Sequence, residues 1–167
     1  VNSHFSTESG MLMDEAIMNV ILEKYHIRIG RKAAETLKMA LGVEWDLNRD
    51  TRICEVCGIS TITELPVKIA VTGEIVAQAL NPILYRIFSG ITSVIQMTPP
   101  AILGDIREHG IVLIGGVAQL KGLKELVLKV TDMKAHVADH PSYVNAVGAG
   151  SALEYMDYFR DSLQDLH

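Results

Sequence analysis

Two pairs of residues in this chain have types and spacing that could do chemistry. Gly115 and Gly116 follow the apolar run Ile111 to Ile114 and precede Leu120, Leu123, Leu126, Val127 and Val130, which recur at helical spacing. Strand, double glycine and helix is the order expected where a backbone approaches a nucleotide at the carboxyl end of a sheet. Glycines remove the side chains that would stand in the way, and amides of the following helix can face polar groups. The pair lacks the lysine of a phosphate loop and the spacing of a dinucleotide fingerprint, so alone it describes an ordinary tight strand–helix turn more readily than a nucleotide site. Glu35 and Lys38 stand three apart on one helical face, which alone describes a solvated surface.

Other reactive side chains carry less. Cys54 and Cys57 have the spacing of a redox motif, but Thr51 to Val56 looks like a strand, and residues three apart on a strand point to opposite faces. A structural zinc site needs about four ligands, and no second cysteine pair or nearby histidine supplies them. Reduced cysteines in a cytosolic protein are expected. His4, His26, His109, His136, His140 and His167 form no ligand spacing or nucleophile–base motif, and no glycine-flanked serine elbow occurs. No catalytic or metal-binding residue is therefore assigned.

The elements that must position these residues follow from periodicity. Val1 to Glu8 reads as strand-like. Met13, Ala16, Ile17, Val20 and Ile21 mark a first helix with Asp14 and Glu15 in its first turn, where the helix dipole favours acids. Tyr25 to Gly30 is a connector. Ala33, Ala34, Leu37, Ala40 and Leu41 mark a second helix that carries Glu35 and Lys38 on its opposite face, with Gly42 as C-cap. Turn residues from Asp46 lead into short β runs at Arg52 to Cys57, Ser60 to Thr63 and Val67 to Val71.

Thr72 caps a helix from Gly73 to Leu80. Asn81-Pro82 then reads as a second cap, giving two helices or one kinked helix up to Met97. Pro100 opens a short helix. Ile111 to Ile114 is the continuous apolar run of a strand buried on both faces. Ala135 to Ala138 is the next strand, Asp139-His140-Pro141 a turn, and Val147 to Met156 a last helix. In that helix the run Ala146 to Ala152 is nearly free of bulk, as close backbone approach to a neighbour or ligand would require. The strand–helix–strand–helix end makes the fold α/β.

Composition narrows the function classes. With 167 residues, 49% apolar and 21% charged, the chain is not disordered and can bury a core without disulfides or metals. A net charge of −5 excludes a globally basic nucleic-acid footprint, and 5% aromatics argue against a base-stacking platform. The longest uncharged stretch, Ile87 to Gly104, contains polar residues and Pro99-Pro100, so a buried helix ending in a turn is expected rather than a membrane span. The high apolar fraction points to partner surface or to a domain cut from a larger one.

The order of elements and several stretches resemble the C-terminal half of the MreB/Mbl family of bacterial actin homologues. They are Met13-Asp14-Glu15-Ala16-Ile17; Ile29-Gly30, Ala34-Glu35-Thr36-Leu37-Lys38 and Gly42; Glu55-Val56, Gly58 and Leu65-Pro66; Thr98-Pro99-Pro100, Asp105-Ile106 and Gly110 to Leu113 leading into Gly115-Gly116; and Ala138-Asp139, Pro141 and Gly148 to Glu154. The resemblance implies an actin-like, ribonuclease H-like ATPase lobe without its N-terminal partner lobe. Residues 1–42 would open subdomain IIA, 43–72 form the strand-rich core of subdomain IIB, 73–97 return to IIA, and 98–167 carry the adenosine motif and C-terminal helix.

It further implies ATP as cofactor, with Mg²⁺ only in a complete two-lobed protein. Glu35 and Lys38 would contact ribose and base, with Thr36 and Leu37 in the same segment. Gly115, Gly116, Val117 and Ala118 would run past the adenosine. A carboxylate can accept ribose hydroxyl hydrogen bonds, while a lysine stem covers a base and its ammonium stays hydrated. The implied partners are further copies in a filament and membrane-linked morphogenesis proteins, in the cytoplasm and at the membrane through the intact filament, with no nucleic acid and no membrane span. The resemblance places the family's phosphate loops and water-orienting residues before Val1, so ATP hydrolysis by this chain alone is not expected.

Departures from the family pattern are Val117 and Gln119 in the glycine run, which add bulk beside the adenine, Met11 and Leu12 where acids are common, and Cys57 and Ile59 where arginines are usual. Two competing readings are a lobe of another actin-superfamily ATPase (a DnaK-type chaperone or a sugar kinase) and a non-nucleotide interaction module on the same scaffold.

Overall fold

A computed structural model describes residues 2–43 and 52–155. The turn expected from Asp46, the end of the last helix at Met156, Val1 and His167 lie outside the described residues. The first element is helix α1 (Gly10–Tyr25), capped by Ser9, whose side chain accepts from the Leu12 N–H. Met13, Ile17 and Ile21 repeat at spacing four and are fully buried. The helix begins earlier than the sequence implies, so Asp14 and Glu15 fall in its second turn and serve side-chain pairings instead of the dipole.

A short strand β1 (Ile27–Arg28) lies in the expected connector. Helix α2 (Arg31–Leu41) follows, ending on Gly42 at φ +61. Strand β2 (Ile53–Ser60) is one continuous strand rather than two short runs, because its whole length pairs antiparallel with β3 (Pro66–Thr72), from Ile53 opposite Thr72 to Ile59 opposite Pro66. Thr61 to Thr63 form the hairpin turn, and β1 adds to the outer edge of β2. Cys54 and Cys57 are both free thiols on β2.

Helix α3 (Gly73–Gln96) runs unbroken through Pro82, merging the two expected segments. It packs on α1, and Val71, Val76, Leu80, Leu37 and Leu41 complete the core with the α1 stripe. Helix α4 (Pro100–His109) starts on Pro100 as expected. Strands β4 (Ile111–Leu113) and β5 (Ala135–Val137) pair in parallel, with helix α5 (Leu123–Thr131) between them burying Leu123 and Val127. The double-sided burial expected of β4 is not met. Ile111 and Leu113 pack on the core, but Val112 is 55% exposed because a two-stranded sheet covers one face only. Helix α6 (Val144–Glu154) buries no residue, and Gly148 and Gly150 have open space at their Cα atoms, so the close approach expected there has no counterpart among the described residues.

Residues 2–9 form no strand. They lie along α3, where the Asn2 amide donates to the Met97 carbonyl at 2.6 Å and Glu8 forms a two-pronged ion pair with Arg86 at 2.5 and 3.1 Å. The hydrogen bond from Arg86 holds the Glu8 carboxyl below its usual range. The tightest chain crossing lies elsewhere. The Val43 N–H donates to the Lys121 carbonyl at 2.8 Å, and Gly122 sits at φ +83 with the Val43 carbonyl 1.7 Å from where a Cβ would be.

Gly122→Ala combines that overlap with a left-handed backbone, and a loss of at least about 2 kcal/mol of unfolding free energy is expected in urea denaturation. For Glu8 the folded pKa is depressed, so its contribution is present above the unfolded pKa and lost as pH falls through the folded one. The stability difference between the chain and Glu8→Gln should therefore shrink to zero under acid conditions, as followed by circular dichroism.

Candidate functional site

Three passages of chain converge on one cleft of about 440 Å³: the start of α1, the middle of α2 and the turn after β4. The α1 side supplies Ser9, Gly10, Met11 and Asp14, the α2 side supplies Glu35, Lys38 and Met39, and the turn supplies Gly116, Val117 and Gln119. Sequence positions more than 100 residues apart thus line one opening.

The turn is held from two sides. Gly115, at φ +86, donates its N–H to the Pro141 carbonyl at 2.8 Å. Residues Gly116–Gln119 then form a single 3₁₀ turn whose Ala118 is buried. The crossing of Val43 with Lys121 and Gly122 fastens the end of α2 to the chain just beyond that turn, and Lys121 adds a hydrogen bond from its ammonium to the Ala40 carbonyl at 3.1 Å. With no side chain at Gly115 the backbone there faces open space, and a Cβ on Gly116 would stand 3.9 Å from the Ser142 hydroxyl oxygen; Gly116 and Val117 line the cleft, Gly115 and Ala118 do not.

Across the cleft, Lys38 is not the hydrated cation expected from the sequence. Its Nζ donates to Asp14 Oδ1 at 2.6 Å and to the Gly10 carbonyl at 2.9 Å, and the two side chains are 9% and 7% exposed. The helix face that sequence spacing marked as solvated is solvated at Glu35 only. One turn of α2 rotates Lys38 toward α1, where Asp14 awaits it in the second turn. The ion pair joins the two helices and closes the floor of the cleft.

The other expected residues divide. Glu35 is exposed at the rim, with its carboxylate available to accept. Thr36 gives its hydroxyl to the Lys32 carbonyl at 2.8 Å, and Leu37 is fully buried in the core. Val117 is half-buried, and its Cγ2 lies 3.5 Å from where a Cβ on Gly10 would be, so its bulk leans toward α1. Gln119 donates to the Ser142 hydroxyl at 2.9 Å at the mouth.

Sequence reading missed Asp14, Met11 and Met39 as cleft residues. Asp14 had a visible signal, an acid next to the core Met13 and three residues before the core Ile17. Among the described residues no group of three His, Cys, Asp or Glu side chains could hold a metal ion, and no helix is long and apolar enough to cross a membrane.

The arrangement is a half-apolar slot with one exposed carboxylate, a bare backbone turn and a neutralised floor. Residues 2–161 match the family model described as MreB/Mbl protein. The chain is 32% identical over 149 residues to the cell shape-determining protein Mbl of Bacillus cereus, covering 89% of this chain and 44% of that protein. It is likewise 32% identical over 148 residues to the cell shape-determining protein MreB of Escherichia coli, covering 89% and 42%.

Among solved structures, MreB5 of Spiroplasma citri bound to ADP superposes with a TM-score of 0.81 at 22% identity, covering 90% of this chain and 46% of that one. The MamK double helical filament superposes at 0.68 and 21%, covering 83% and 42%. These superpositions show an actin-like fold. The chain spans less than half the length of the relatives it matches.

Removing one partner of the buried pair strands the other. Lys38→Met should cost about 3–5 kcal/mol, and the double change Asp14→Leu with Lys38→Met should recover most of it, as measured by chemical denaturation.

Proposed function

This chain belongs to the MreB/Mbl family, and on that footing we propose that it supplies the adenosine side of an ATP cleft and polymer contacts of a cell-shape filament. The observation that carries the reading is the cleft, which brings the Glu35 carboxylate and the side-chain-free Gly116 backbone into the lining of one opening. Glu35 accepts from ribose hydroxyls, the base lies along the Gly116–Val117 turn, and the stem of Lys38 forms wall rather than a contact charge. Thr36, Leu37 and Ala118 act by holding these segments in place. In a complete protein the phosphates and Mg²⁺ would be held on a facing lobe.

On this reading residues 1–42, 73–97 and 98–167 form subdomain IIA, and 43–72 the core of subdomain IIB. Family membership displaces the chaperone and sugar-kinase alternatives. Filament assembly is supported by the relatives, one of which is a double helical filament. The tip of the β2–β3 hairpin fits a polymer contact, since Ile59, Ile62 and Leu65 are exposed together there, Ile62 at 75%. A cytoplasmic filament that meets membrane-linked morphogenesis proteins completes the proposal.

Isothermal titration of the chain with ATP and ADP should give saturable binding, and Glu35→Ala should weaken it roughly tenfold by removing one charge-assisted hydrogen bond. Absence of binding would leave only the interaction-module reading. In sedimentation velocity the chain should self-associate with rising concentration, and Ile62→Asp should reduce that association. Indifference to the change would remove the hairpin tip from the interface.

A further inference from the structure

The tip of the β2–β3 hairpin has a shape that its own sequence does little to enforce. Thr61-Ile62-Thr63-Glu64 contains no glycine, proline, asparagine or aspartate, the residues that set tight turns through their own backbone preferences. Glu64 stands at φ +58, a left-handed conformation uncommon outside glycine. The turn is nevertheless closed. The Ser60 N–H donates to the Leu65 carbonyl at 3.0 Å, and the Glu64 N–H donates to the Ser60 carbonyl at 2.9 Å.

Two hydroxyls supply what the turn sequence lacks. Ser60 Oγ accepts from the N–H groups of Ile62 and Thr63, both at 3.3 Å, within the turn itself. Thr61 reaches outside it. Its N–H and its Oγ1 both donate to the His26 carbonyl, at 2.8 and 2.9 Å. His26 is the left-handed cap that ends α1, and its own N–H is held by the Leu22 carbonyl at 3.0 Å. That carbonyl is therefore carried by a helix buried in the core at Ile17 and Ile21. The turn is pinned to α1 across 35 positions of sequence, beside the point where Ile27 pairs with Ser60.

What the pinned turn displays is Ile59, Ile62 and Leu65, all exposed. Apolar side chains already held in one arrangement lose less conformational freedom on docking, and that saving appears as affinity. We propose that Thr61 is a positioning residue for the polymer contact, its hydroxyl fixing the hairpin tip to α1 so that Ile59, Ile62 and Leu65 meet a second copy of this chain as one rigid knob. The inference rests on the hairpin-tip contact proposed above and adds to it what holds the tip in its docking shape.

The test combines amide hydrogen exchange with sedimentation velocity. At a dilution where the chain is monomeric, the Thr61 and Glu64 amides should exchange at least tenfold more slowly than in an unstructured peptide of the same sequence. Exchange at the peptide rate overturns the proposal without any variant.

Thr61→Val keeps the shape of the side chain and removes the hydroxyl. It should speed exchange at those two amides and weaken self-association about three-fold, the scale of one hydrogen bond. Thr61→Ser should restore both, which a role in packing alone would not do. Self-association that falls with Ile62→Asp but not with Thr61→Val, or that Thr61→Ser fails to restore, overturns the role of Thr61 and leaves the contact standing. Indifference to both Ile62→Asp and Thr61→Val overturns the contact and the role together.

Discussion

The contact between Lys38 and Asp14 is the constraint on which the described structure turns. Two charges from different helices share a site from which water is nearly excluded, and each is tolerable there only because of the other. The pair fixes the separation and rotation of α1 and α2 at the point where both begin to form the cleft. Gly10 completes it by offering its carbonyl to the Lys38 ammonium. Rigidity of the floor and shape of the opening are thus consequences of one ionic contact within an otherwise apolar core of Met13, Ile17, Leu37 and Leu41.

Much of the framework is legible in the residues themselves. The apolar spacings of α1, α2 and α5, the cap at Gly42, the start of α4 at Pro100 and the strand–glycine–helix order after Ile111 are local signals, and local physics decides them. The misreadings share a cause in tertiary context. Pro82 does not end α3 because the flanking residues Leu80, Ile83 and Leu84 are buried and hold the helix together. β2 runs past Gly58 because its ladder partner does, and a Cβ there would meet Ile27 and Arg28 of β1.

The site was legible in part. Gly115, Gly116, Glu35 and Lys38 were marked by type and spacing, and the cleft gathers Glu35, Lys38, Gly116 and Val117. The state of Lys38 was not legible, since a charge on a helix face is solvated or paired according to what the neighbouring helix offers. Asp14 stood 24 positions away, with no local rule linking the two. Methionines at 11 and 39 carry no chemistry in isolation, and only their convergence gives the opening its character.

The crossing of Val43 over Gly122 has a consequence for tolerance to sequence change. The width of the cleft is gauged there by peptide groups in direct contact, without a side chain as spacer. Substitutions along the outer faces of α2 or α5 can accumulate without altering that gauge.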